Sequence, residues 1–497
     1  MAKLSTEIKE AKKVLKESKP KIETKGITYK FHYLDDDRIA ELVDSKTFPN
    51  QYSFLVFDST NKTIDISNVY GSKDGFMIYP PTKDEEFLRN LIIPKVISIE
   101  QVKEALINFD PKELDRQIDT FLRRWFILPD EYFLVLRLFI KFSWVQEQSY
   151  MMPYLSLWGD RGTGKTMIGT FLSWLCRFAY FNKAGATPAV LARSIDLLRG
   201  VAIIDESDMY LNVTEETASF MRILRGYHAD STYDIVDERK KTKFPRRFYI
   251  GVPKVILSAK PIKDDHLSSR CIIMELKPAK IPDEMIRDTK SGFWRERKIE
   301  AQEIVNQLLL FRLYKFFDVN TLKTIVQGVE PRYNDVAMPL FYMIENENKE
   351  EHEMFYNFVV KNIEVDLEQR SETNEGQILT IIKKLESSYI SQELLPMEMR
   401  IYVNDIVEGI KDTYYENSNK NETEKFINNR KIGWTLKGLG LKTKKDSAQQ
   451  GKKYIVPEDL KLLSSLYSRF GVKEEEELIH LTNKTESIIL NDENNER

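Results

Sequence analysis

The apolar positions change rhythm several times along the chain, and each change predicts an element. Early on, Ser53-Phe-Leu-Val-Phe57 and Thr63-Ile-Asp-Ile66 are short and strand-like, which predicts a small α/β domain over 1–97 behind a charged, exposed helix in the first 25 residues. From Ser98 to Gln148 the rhythm turns helical, with Phe121 and Trp125 on one face and Phe133, Leu136 and Ile140 following Pro129. Two runs are apolar without a break, Tyr154-Leu-Ser-Leu-Trp158 and Val201-Ala-Ile-Ile204. Such runs suit strands buried on both faces of a parallel sheet. Between them Met167 to Leu175 reads as a helix, and Thr187-Pro188 starts another with a capping hydroxyl followed by proline.

Helical spacing returns from Ile281 to Asn374. Then Ile401 to Ile410, Glu422 to Ile427 and Asn429 to Leu439 predict three helices, followed by a basic loop, a strand at Lys453-Tyr-Ile-Val456 and a helix after Pro457. Three helices, a loop and a strand match a winged helix-turn-helix. The polar, acidic tail over 473–497 has no apolar face. The expected units are 1–97, a helical lead-in over 98–150, an α/β core over 151–280, a helical lid over 281–390, the winged helix over 391–472 and the tail.

Composition narrows the function classes. The chain has 497 residues, 42% hydrophobic and 30% charged, as in a soluble protein of several domains. A net charge of −3 excludes a generally basic chain, so any contact with nucleic acid must be local. Cys176 and Cys271 both sit in apolar runs and read as reduced thiols, which suits a cytoplasmic location. The histidines and cysteines show no zinc-ligand spacing, and no stretch has membrane-spanning length or the look of a signal core. Asp35, Asp36 and Asp37 read as a solvated turn, because no partner cluster with metal-site spacing follows them.

The most specific chemistry is the octet Gly159-Asp160-Arg161-Gly162-Thr163-Gly164-Lys165-Thr166, lying between a strand pattern and a helix pattern. Glycines at these spacings let backbone N–H groups turn inward around a triphosphate, and the helix behind adds its positive end. Lys165 would reach the β- and γ-phosphates of ATP, and Thr166 would place its hydroxyl on Mg2+. Forty positions beyond Lys165, a buried strand ends in Asp205-Glu206. Asp205 is placed to hold the Mg2+ through water, and Glu206 to polarise the attacking water.

Farther on, Ser231 to Asp237 and Arg246 to Ile250 read as arms of a β-hairpin whose tip carries Lys240, Lys241 and Lys243, a grip for phosphates. Val255-Ile-Leu-Ser258 is the next strand. Arg270, in Leu267-Ser-Ser-Arg270, precedes another and could serve as an arginine finger to a neighbouring subunit.

The order of these parts over about residues 113–340 resembles the AAA+ helicases of phages and plasmids, related to superfamily 3 helicases. Ala186-Thr-Pro-Ala-Val-Leu-Ala-Arg193, Ile204-Asp-Glu-Ser-Asp208, Leu224-Arg-Gly-Tyr227, Gly251-Val-Pro-Lys254 and Ser268-Ser-Arg-Cys271 are similar to phrases of that family. The resemblance implies an AAA+ P-loop ATPase core with a helical lid. It implies Lys165 and Thr166 as Walker A, Asp205 and Glu206 as Walker B, a basic pre-sensor hairpin, and Arg270 acting in trans. Arg332 stands where a sensor 2 arginine is expected, with Arg295 or Arg297 as alternatives. Ser258 stands where the family carries an asparagine as sensor 1, so either the serine serves or that contact is weakened.

Between Arg430 and Lys453, eight lysines and arginines face one acid, Asp446. Arg430, Lys431 and Lys437 fall on or beside the recognition helix of the expected winged helix, and Lys444, Lys445, Lys452 and Lys453 around its wing. Trp434 is expected to pack that helix against its core. The resulting expectation is an ATP- and Mg2+-dependent helicase acting on single-stranded or forked DNA as a homo-oligomeric ring, a hexamer by preference, with no membrane partner. The alternative is an ATP-switched replication initiator or regulator that binds DNA without processive unwinding.

Overall fold

The computed structural model describes residues 26–29, 32–34, 37–72, 76–83, 88, 91–183, 185–208, 217–236, 245–262, 264–279, 291–317, 331–344, 348–392, 398–414, 428–449 and 451–472. The chain divides into two compact units, Met1–Val359 and Val360–Arg497. The charged helix expected before Lys25, Asp35 and Asp36, and the acidic tail lie outside the described residues.

In the first unit the described elements up to Val96 are strands: β1 (Gly26–Tyr29), β2 (His32–Leu34), β3 (Arg38–Ser45), β4 (Ser53–Asp58), β5 (Thr63–Ser67), β6 (Tyr70–Gly71), β7 (Phe76–Tyr79) and β8 (Lys95–Val96). β2 to β5 form an antiparallel meander, with β8 parallel to β3, and β1-β7-β6 form a second sheet. The alternation of Thr63-Ile-Asp-Ile66 is half buried as its pattern demands, with Ile64 and Ile66 inside. Three helices follow, α1 (Ile99–Ile107), α2 (Pro111–Arg123) and α3 (Asp130–Ser143). Asp110 caps α2 by accepting from the Lys112 N–H, and Pro111 occupies the first turn, where a missing N–H costs nothing.

The larger part of this unit is an α/β layer built on β9 (Tyr154–Trp158), α4 (Lys165–Leu175), β10 (Tyr180–Asn182), α5 (Pro188–Leu198), β11 (Ala202–Ile204), α6 (Ala218–Arg225), the arms β12 (Thr232–Val236) and β13 (Pro245–Tyr249), β14 (Lys254–Ser258), α7 (Asp265–Ser268) and β15 (Cys271–Glu275). The sheet runs β10-β11-β14-β9-β15 and every pair in it is parallel. The unbroken apolar runs lie in the middle of this sheet, with Leu155, Leu157, Ile203, Ile204, Val255, Ile256 and Leu257 fully buried. After β9 the chain crosses to the far edge at β10 and works back to β14, beside its start. This reversal opens a crevice beyond the carboxyl ends of β9 and β14, where open α/β sheets hold ligands. Helices α8 (Ser291–Lys315) and α9 (Pro331–Phe341) follow in this unit, and α10 (Lys349–Ser371) runs across the boundary between the two units.

A charged quartet joins these pieces. Arg177, just past α4, donates Nε and Nη2 to both oxygens of Glu41 on β3, each at 2.8 Å, and Nη1 to Glu147 at 2.8 Å. Arg312 of α8 approaches Glu41 at 2.9 Å and donates to both oxygens of Glu147 at 2.9 and 3.1 Å. Both guanidiniums and the Glu41 carboxylate are fully buried.

The second unit holds α11 (Asn374–Ile390), α12 (Val403–Tyr414), α13 (Asn429–Gly438), an antiparallel pair β16 (Thr443–Lys445) and β17 (Lys453–Ile455), and α14 (Leu463–Phe470). Its core gathers Ile378, Ile382, Ile406, Ile410, Ile432, Leu436 and Leu466. The basic loop therefore contains a strand of its own, because Lys444 pairs with Tyr454, and Tyr402 bridges to Tyr454 from its other side. The helix expected over Glu422 to Ile427 lies outside the described residues. Among the described residues no helix is long and apolar enough to cross a membrane.

Removing one member of the quartet leaves buried charge uncompensated. Glu41→Ala should therefore lower unfolding stability by about 3–5 kcal/mol, read as a shift of the urea midpoint. An unchanged midpoint would show that the quartet adds nothing to the fold.

Candidate functional site

Three strand ends meet at the crevice. The loop from Gly159 to Gly164 leaves β9 and runs into the first turn of α4. Gly159 has φ 154°, and a Cβ there would stand 2.2 Å from the Leu276 carbonyl oxygen, so no larger residue fits. Gly162 and Gly164 take φ 86° and 90°, and the curl lets the loop close over the helix end. Thr163 Oγ1 donates to the Asp160 carbonyl at 2.9 Å. Lys165 reaches back beneath the loop, donating Nζ to the carbonyls of Gly159 and Asp160 at 2.6 and 2.7 Å. Burial lowers the Lys165 pKa, and the nearby Asp205, Asp208 and Asp160 oppose that shift.

Asp205 follows β11 and is almost buried, and its Oδ1 accepts the N–H of Glu206 at 2.9 Å. Glu206 has φ 52°, a left-handed backbone that side chains resist, and its side chain is exposed. Ser258 ends β14, buried, with Oγ donating to the Lys260 carbonyl at 2.7 Å. Its only proton is committed to its own turn. Arg161, Gly162, Gly164, Lys165, Thr166, Asp205, Glu206 and Ser258 all line one cavity of about 550 Å3. The structure thus brings together two carboxylates, an ammonium, a threonine hydroxyl and a helix N-terminus. That arrangement can hold a polyanion with its metal, because the cationic groups neutralise phosphate while the acids stay available to metal and water.

Asp208, to which residue order assigns no role, also lines this cavity. Its carboxylate accepts the N–H groups of Ala259 and Lys260 at 2.7 and 3.2 Å, pinning the turn after β14 to the end of β11. An acid three positions past Asp205 was the signal, but the contact spans 51 residues and could not be read locally.

Arg270 and Arg332 stand elsewhere. Arg270 is half-buried, 4.4 Å over the ring of Tyr227, and its Nε and Nη1 have no hydrogen-bond partner among the described residues. Burial first, and then the charge of Arg332, lower its pKa. Arg332 is exposed and donates Nη1 to Ser269 Oγ at 3.3 Å, so the two guanidiniums share one patch that does not line the glycine-loop cavity. Of the alternatives, Arg297 packs 3.9 Å over Trp125 and pairs with Glu300, and Arg295 is exposed on α8.

The two hairpin arms pair as expected, Tyr233 against Phe248 and Ile235 against Arg246. Lys240, Lys241 and Lys243 lie outside the described residues. The root of the hairpin is anchored by Lys254, for which the sequence implies no role of its own. Fully buried, its Nζ donates to Tyr154 Oη at 2.7 Å and to the carbonyls of Gly226 and Ile250 at 2.8 and 2.9 Å. Those bonds tie the start of β9, the end of α6 and the residue after β13 to β14.

In the second unit, Arg430 and Lys437 on α13, and Lys452 and Lys453 at the start of β17, line a groove of about 720 Å3. Lys431 lies on α13 beside it, and Lys444 and Lys445 on β16. Asp446, the one acid of the stretch, accepts Tyr402 Oη at 2.7 Å and Arg400 at 3.2 Å, which holds its carboxyl below the ordinary value. Trp434 corrects the expectation from sequence. It is 61% exposed and lines the groove, because Ile432 and Leu436 take the inner face of α13 and a residue two positions away points about 200° around the helix.

No family model matches the chain, and no curated protein matches it. Among solved structures it is similar to two A-form apo structures of the NrS-1 C-terminal region, each at 12% identity over 84% of this chain and 96% of that chain, with TM-scores of 0.31 and 0.29. A likeness that weak assigns neither a fold nor an activity here.

Burial pushes the Lys254 pKa well below its ordinary 10.5. The unfolded chain then binds the proton more tightly, so this group makes stability rise with pH from the depressed value up to 10.5. Thermal melts from neutral to alkaline pH should show that rise, and Lys254→Met should flatten it. Parallel curves for the two proteins would contradict an ammonium with a depressed pKa.

Proposed function

We propose that the chain is a P-loop ATPase of AAA+ type that couples ATP hydrolysis to movement along DNA, as a ring-forming replicative helicase of a mobile element. The observation that carries this reading is the meeting of Lys165, Thr166, Asp205 and Glu206 in one cavity at the carboxyl edge of a parallel sheet.

The residues present fit ATP with Mg2+. Among the described residues no three-fold cluster of His, Cys, Asp and Glu could hold a metal alone. Thr166 and Asp205 are suited to a Mg2+ that arrives with phosphates and keeps most of its waters. Bound there, the metal would neutralise charge on the transferred phosphoryl group. The triphosphate would replace the loop carbonyls as partner of Lys165. Glu206, held out toward the cavity by its strained backbone, would orient water and take its proton. Ser258, its hydroxyl proton committed to Lys260, would be a weak sensor.

Arg270 would complete the site from the next subunit. The half-buried Arg270 guanidinium stands outside its own chain's cavity, and its buried, unpartnered Nε and Nη1 would turn outward to meet a neighbour's phosphate. Arg332 beside it would add to the same positive patch. The second unit would then be a winged helix, with α13 as recognition helix and the β16–β17 pair as wing, engaging DNA through its lysines.

Lys165→Ala should lower DNA-stimulated ATP turnover by on the order of 10²–10³-fold, and Arg270→Ala by roughly 10³-fold or more, in a phosphate-release assay. If Arg270 acts in trans, mixing the two inactive variants should restore turnover, because intact junctions form between them. No recovery on mixing would place Arg270 outside the neighbour's site. Absence of DNA stimulation and of forked-duplex unwinding in the parent protein would exclude the helicase.

A further inference from the structure

The groove of the second unit contains a group that phosphate binding does not call for. Arg430, Trp434 and Lys437 lie at helical spacing on one face of α13, opposite the core residues Ile432 and Leu436. Trp434 could have been packed inward by a one-residue change of pattern, yet it is 61% exposed. The Arg430 guanidinium lies 4.8 Å from the ring centroid and orients the indole. Gly433 precedes it, in the middle of a helix that glycine weakens. A Cβ at Gly433 would meet nothing within 4 Å, so packing does not explain the glycine, and without a side chain its backbone is bare where it lines the groove. Lys442, Lys452 and Lys453 border the other side. Lys437 and Lys453 have no ion pair among the described residues, and Asp446 is held by Tyr402 and Arg400.

We propose that this groove takes a single-stranded nucleic acid and that Trp434 stacks on one of its unpaired bases. This rests on the reading that the second unit engages DNA, and it names which form. Lysines alone suffice for the phosphates of a duplex, whose bases are stacked on one another and closed to an indole. An unpaired base offers a free π-face, and an exposed ring among cations matches a base with its flanking phosphates. The bare backbone at Gly433 lets the base or its sugar approach α13 closely. The winged-helix surface would thus hold the separated strand, not the intact duplex.

The test uses the full-length protein in fluorescence anisotropy with three labelled ligands of equal length: oligothymidylate, a sugar-phosphate strand lacking bases, and a duplex. Trp434→Ala should weaken oligothymidylate about tenfold while leaving the base-free strand and the duplex unaltered, and Trp434→Phe should retain most of the affinity. Equal loss on all three ligands, or loss on none, overturns the stacking. So does a changed sedimentation coefficient with unchanged DNA affinity, which would make Trp434 a protein contact. The double variant Lys437→Glu, Lys453→Glu separates the two layers of the argument. If it weakens binding and Trp434→Ala does not, only the stacking falls. If it weakens none of the ligands, the DNA reading of this unit falls as well.

Discussion

Two arginines and two glutamates taken out of water together are the constraint on which the first unit depends. Glu41 comes from the small N-terminal sheet, Glu147 from the turn after α3, Arg177 from the end of α4 and Arg312 from α8. Their charges cancel only when all four segments are in place, since a lone ion in that interior would be several kcal/mol out of balance. Arg312 also donates to the Trp144 carbonyl, and Trp144 Nε1 to the Leu175 carbonyl at 2.9 Å. The carboxyl end of α4 is therefore locked, and its amino end can serve as a fixed floor for the glycine loop.

A fixed floor matters because the site is assembled from loops. The sheet order places the ends of β9, β11 and β14 side by side, and each contributes one kind of group: backbone N–H and an ammonium, two carboxylates, and a hydroxyl. Asp208 ties two of these ends together directly. At the opposite ends of the strands, Lys254 does the same for the root of the hairpin and the first residue of β9. The β12–β13 pair and the glycine loop are thus joined through the length of β14 and β9. In the proposed motor, that rigid connection would carry the effect of hydrolysis to the hairpin.

Arg270 lies near the same end, with Tyr154 and Cys271 among the groups that perturb it. Its guanidinium is half-buried, with Nε and Nη1 enclosed and without a hydrogen-bond partner among the described residues. In the proposed ring it would act between copies of the chain, with Arg332 beside it. The second unit repeats the theme of an unfinished contact, since an exposed indole among lysines has surface to offer and no inner face to fill.

The parts legible from residue order are those whose physics is local. A glycine loop needs left-handed turns at fixed spacing, a buried strand needs consecutive apolar residues, and an acid at its end needs only the next position, so Gly159 to Thr166 and Asp205-Glu206 stand out in the chain. The antiparallel arms of the hairpin were readable for the same reason. Asp208, Lys254 and the quartet were not, because each holds partners from distant parts of the chain, such as Gly226 for Lys254 and Glu41 for Arg312, and its spacing carries no trace of them. Trp434 failed differently. Aromatic character favours burial on average, but the helical phase set by Ile432 and Leu436 had already filled the inner face, and which face a core occupies is decided when helices pack.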